Sequence, residues 1–107
     1  MAFNYFKLDE SGDPVPSHFI EWAEWMRDND DKRILKRSEI GTDKIVSTVF
    51  LGMNHNYGPG EPLIYETMIF GGPHDEYQER YSTKAQALAG HERAVKLAEQ
   101  PPKQEQK

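Results

Sequence analysis

The 107-residue chain contains no cysteine. That excludes disulfides, thiolate metal sites and cysteine nucleophiles together, and in a chain this short their absence favours an intracellular, cytoplasmic location. Long apolar runs are missing as well. The opening MAFNYFKLDESGDPVPSHFI has no charged segment leading into an apolar one, so we expect neither a signal peptide nor association with a membrane. Positive charge is short: thirteen Lys and Arg stand against eighteen Asp and Glu, a formal net charge of −5. The densest basic stretch, DKRILKR, is brief and opens on an acid, so nucleic acid is not an expected partner.

Catalytic and ligand-binding signatures are scarce too. There is no GxSxG, and Ser47 and Thr48 fall in the middle of a β-branched run. GPGEP and FGGPHD lack the lysine and following helix of a phosphate loop, and their prolines remove amide donors. DESGD and DNDD lack the glycine and terminal glutamate of a calcium loop. His18, His55, His74 and His91 form no HxxxH or HExxH pair. His55 and His74, with Glu66 or Asp75, are suitable ligand types for zinc, but no spacing requires such a site. We therefore expect no catalytic residue, no metal, no cofactor and no enzyme.

What remains is a polar but foldable chain. Apolar residues make up 36% and charged residues 29%, with five Phe, five Tyr and two Trp to build one modest core. A single α+β domain over 1–99 and a mobile polar tail, QPPKQEQK, over 100–107 are expected. NYFKLDESGDPVP predicts a short opening strand that enters a turn, its pairing partner undetermined. Ser17 is a candidate N-cap for a helix on which Phe19, Trp22, Ala23 and Met26 share one face, flanked by Ile20 and Trp25. RILKRSEI and KIVSTVFLG, joined across GTD, predict a β-hairpin. MNHNYGPGEP is a loop, and LIYETMIFGG is a further strand closed by paired glycines. Thr83 and Gln86 have capping-box spacing at the start of a second helix that reaches about Glu99. Short connections favour an antiparallel sheet of three to four strands with both helices packed on one face.

Two places invite attention. On the second helix Ala87, Leu88, His91, Ala94, Val95 and Ala98 share a face, so His91 points at the sheet beside Gly90. Glycine costs about 1 kcal/mol against alanine in a helix, which implies a close contact with the helix backbone. In LIYETMIF, Leu63, Tyr65, Thr67 and Ile69 face one way, and Ile64, Glu66, Met68 and Phe70 the other. That leaves Glu66 as an acid on an apolar face, where it needs a partner. His91, Arg80 or a tyrosine hydroxyl would serve, and the pairing reads first as structural. The loop is the second place: it holds His55, Asn56 and Tyr57 between strands, and aromatics on loops suit protein interfaces.

The segments STVFLGMNHNYG, PLIYETMIFGG and RYSTKAQALAGH together resemble small conserved proteins encoded in bacteriophage and prophage genomes. Shared features are an STVFLG-like strand end, a histidine soon after, an ETM-hydrophobic-FGG strand, and RYST leading into a helix with a Gly-His pair. The resemblance covers the C-terminal half and, more loosely, the helix with Trp22. It implies a bacterial host cell as context, carries no activity, and singles out His55, Glu66, Arg80 and His91. The expectation is a non-enzymatic phage accessory protein that binds a host or phage protein and so inhibits or modulates a host enzyme or defence system. The alternative is a small-molecule or metal-binding module, or weak enzyme, centred on Glu66 and His91.

Overall fold

A computed structural model describes residues 4–100. Of the expected polar tail only Gln100 is described; 101–107 lie outside. The elements run β1 (Phe6–Leu8), β2 (Pro14–Pro16), α1 (Phe19–Asp28), a 3-10 turn at Asp30–Arg33, β3 (Ile34–Ile40), β4 (Lys44–Phe50), β5 (Tyr65–Phe70), β6 (Gln78–Tyr81) and α2 (Lys84–Glu99). Strands β3-β4-β5-β6 form an antiparallel meander in chain order. α2 lies along one face of that sheet, touching all four strands. This is an α+β fold.

Alternation on the central strands sets the layers. Val46, Thr48 and Phe50 of β4 and Tyr65, Thr67 and Ile69 of β5 are buried on the α2 side, paired Phe50–Tyr65, Thr48–Thr67 and Val46–Ile69. Two clusters fill this layer. Phe6, Phe50, Ile64, Tyr65, Tyr81 and Ala87 occupy one end, and Val46, Ile69, Ala94 and Ala98 the other. Between them sits a polar band, Thr48, Thr67 and His91, all fully buried.

Several expectations change in detail. The opening strand is half of a hairpin, β1 with β2, and its remaining partner is the chain just after β4: Phe6 N–H donates to Gly52 O at 2.9 Å, and Tyr5 bridges Met53. The N-cap of α1 is His18, not Ser17, whose hydroxyl bonds Glu21 instead. α1 also uses more than one stripe. Trp22 stacks on Tyr5, while Trp25, expected to flank the buried face, is the residue that meets Phe50 edge-on at 5.9 Å. A helix held from two sides needs no single apolar face, and none of its residues is fully buried. Strand β6, QERY, gave no apolar alternation in the sequence. Ile64 belongs to the core rather than to the side of Glu66, because the chain is still turning into β5 there.

The capping box of α2 is present in both directions, Gln86 N–H to Thr83 Oγ1 at 3.1 Å and Thr83 N–H to Gln86 Oε1 at 3.2 Å. Its buried set is Ala87, Gly90, His91, Ala94 and Ala98. Leu88, expected inside, is exposed, and Gly90 takes the inner position. A Cβ at Gly90 would overlap the Tyr81 phenol. That ring is the close contact that compensates for the glycine.

Candidate functional site

His91 and Glu66 do not meet. His91 projects from α2 into the polar band, where Nε2 is 2.8 Å from Ser38 Oγ and Nδ1 is 2.7 Å from Thr48 Oγ1. Glu66 lies on the opposite side of the sheet, since it alternates with the inward Tyr65 and Thr67 and is paired across with Val49 and Arg80. There Glu66 Oε2 accepts from Arg80 Nε at 2.9 Å and from Gln78 Nε2 at 2.7 Å. Of the three partners the sequence allowed for Glu66, the structure places Arg80 beside it. A centre shared by Glu66 and His91 is therefore corrected: a sheet stands between them.

Hydroxyls surround the His91 ring. Tyr81 O–H donates to Glu79 Oε1 at 3.1 Å, with the Thr67 hydroxyl beside it. The Thr67 and Thr48 hydroxyls share a hydrogen bond at 2.5 Å, and Thr48 shares a second with His91 Nδ1. Since His91 also bonds Ser38, both ring nitrogens are paired with hydroxyls. The chain Ser38–His91–Thr48–Thr67–Tyr81 ends on Glu79, which also takes Tyr77 O–H at 3.0 Å and Arg93 Nη2 at 3.3 Å. Burial lowers the His91 pKa, with Glu92 opposing and Lys36 assisting. Burial likewise pushes Tyr81 up to about 12. At Glu79 burial pulls upward, but the bonds from Tyr77, Tyr81 and Arg93 outweigh it and leave the carboxyl low. With both ring nitrogens committed and no exposed surface, His91 has nothing left to offer a substrate.

No group of three or more His, Asp or Glu side chains among the described residues is placed to hold a metal. His55 and His74 do not form such a group with Glu66 or Asp75. No helix of the described residues is long and apolar enough to cross a membrane.

The loop after β4 is more constructed than its composition suggested. Its base is zipped by backbone bonds, Leu51 N–H to Ile64 O at 2.7 Å and His55 N–H to Leu63 O at 2.9 Å. Above that, Asn54 Oδ1 accepts the amides of Asn56 at 2.8 Å and Leu63 at 3.1 Å. Asn56 then holds the tip together. Its Oδ1 accepts from Gly58 N–H at 3.0 Å, and its Nδ2 donates to Pro59 O at 3.1 Å and Glu61 O at 2.9 Å. So Asn56, read from sequence as a contact residue, is a brace. His55 is half-buried at the foot. Tyr57 stands at the tip, 90% exposed, with no role in its own fold. The sequence signalled the loop and its tyrosine; the two asparagines were silent because a side-chain brace leaves no periodicity.

Comparison of the chain with protein-family models, with curated proteins and with solved structures returns no match.

Proposed function

We propose that this protein works without catalysis, by binding another protein, and that Tyr57 is a central contact. The observation that carries the proposal is the pairing of a 90% exposed tyrosine with a loop braced by Asn54 and Asn56. Tyrosine gives a large amphipathic contact with few rotatable bonds, and it is over-represented among interface residues that dominate binding energy. A pre-set loop also reduces the ordering cost of association. The motif resemblance supports a phage or prophage origin, and with it a host or phage partner in the bacterial cytoplasm whose enzyme or defence activity is inhibited or modulated. The acidic surface favours a partner with a basic or neutral face.

The test is affinity capture from nuclease-treated bacterial lysate, with the wild type beside Tyr57→Ala. The expected result is one stoichiometric protein retained by the wild type and depleted at least about tenfold by Tyr57→Ala, as for a hot-spot truncation, with thermal unfolding unchanged. Equal retention by both chains overturns the assignment of the loop.

A further inference from the structure

Strand β3 is the longer edge of the four-stranded sheet, seven residues against four in β6 at the other edge. One side of β3 is bonded to β4, and among the described residues no strand lies along its second side. No backbone group of 35–40 finds a further backbone partner there either. An unpaired edge of this length is a template for another strand unless something guards it. The usual guards are weak here. ILKRSEI holds no proline, and Lys36 is drawn over the α2 face, where its Nζ donates to Glu92 Oε2 at 2.6 Å. Pairing with β4 is irregular between Ile34 and Lys36, and Gly41, at φ +64°, turns the chain away at the far end. The regular stretch of the edge is therefore 36–40, centred on Ser38.

We propose that a second copy of this chain pairs at this edge, β3 antiparallel to β3, about a two-fold axis at Ser38. Geometry selects that register, because an axis aligns the whole regular stretch only when it passes through the centre. Ser38 then stands opposite Ser38, and Lys36 opposite Ile40. Charge selects the same register. Arg37 and Glu39 alternate with Ser38, whose hydroxyl bonds His91 under α2, so both project on the side away from that helix. With Ser38 on the axis, Arg37 of each copy lies directly across from Glu39 of the other. An axis at Arg37 would oppose two arginines, and one at Glu39 two glutamates. Opposite charges directly across antiparallel strands stabilise pairing, and like charges oppose it. Within one chain the two side chains approach only to 3.6 Å and are 52% and 70% exposed, so both can exchange partners. The product is a continuous sheet of twice four strands with both α2 helices on one face, joined by an isologous contact. So short a paired stretch makes a small contact, and the association is weak and concentration-dependent. It uses residues other than those of the Tyr57 loop and stands or falls independently of it.

The experiment is sedimentation equilibrium of the full chain at low salt, from about 10 μM to about 1 mM, beside charge-reversed variants. The wild type should move from one chain towards two across that range. Arg37→Glu and Glu39→Arg each place like charges opposite one another, and each should weaken the dimer at least about tenfold. The swap Arg37→Glu/Glu39→Arg rebuilds both pairs in the opposite sense and should restore wild-type association. Both positions are exposed, so melting temperatures at low concentration should stay level in all three variants, which separates lost pairing from lost folding. Amides of 36–40 that face away from β4 should exchange more slowly as the wild-type concentration rises. A chain that stays single at about 1 mM, single variants that associate like the wild type, or a swap no better than either single variant would each overturn the proposal.

Discussion

His91 keeps two hydrogen bonds in a layer that water does not enter, and that burial makes its proton uptake unfavourable. Its folded pKa lies below the ordinary 6.5, so under acid the unfolded chain binds a proton that the folded chain resists. The contribution of His91 is therefore fully present above that value and is lost as pH falls below it; Glu92 and Lys36, the charged groups named with it, modulate the shift. Denaturant unfolding at pH 7 and pH 5.5 should show the wild type losing stability, and His91→Leu losing distinctly less. Equal losses would show that another group carries the dependence. At pH 7 His91→Leu itself should cost about 1–3 kcal/mol, because Ser38 loses its partner and Thr48 one of its two. Tyr81 gives the opposite sign: the folded state holds its proton to about 12, so stability falls as pH rises beyond 10. Glu66→Gln should cost less than about 1 kcal/mol by thermal melting, since the Arg80 partner is partly exposed and solvent screens the pair.

Among the elements, α2 and the loop depend on single contacts. Gly90→Ala raises helix propensity by about 1 kcal/mol but drives a methyl into the Tyr81 phenol. Overpacking costs about 1–3 kcal/mol, so the variant should be less stable than the wild type. A coupled loss in the Gly90→Ala/Tyr81→Ala cycle would measure the contact; a stabilised Gly90→Ala would refute it. Asn56→Ala removes three hydrogen bonds from the loop tip. Faster amide exchange at residues 56–61 and a weaker partner complex are expected, with the sheet unaffected. Local rules in the sequence located what local chemistry controls: the Thr83–Gln86 capping box, the hairpin across Gly41–Asp43 and the inward set of β5. They missed what distant chain segments impose. Gly90 is inside because Tyr81 arrives from β6, Trp25 is half-buried because the Phe50 ring meets it edge-on, and Glu66 is parted from His91 by a sheet whose register the alternation alone could not relate to α2.

Over the whole molecule, the inner layer of the sheet is spent on structure. Its one histidine is sealed between hydroxyls, and the Glu66–Arg80 pair sits on the far side. Outward-facing features are then the places to look for function, and the Tyr57 loop is the most exposed of them. The histidine and the carboxylate that the sequence singled out are apart and internally paired, while the loop it also singled out presents an exposed tyrosine. The measurement that tests this most directly replaces Tyr57 with a photo-cross-linking phenylalanine in live bacteria, with the same residue at exposed Lys96 as control. The account predicts one discrete cross-linked protein from position 57 that position 96 does not yield. Identical products at both positions, or none at 57, would contradict it.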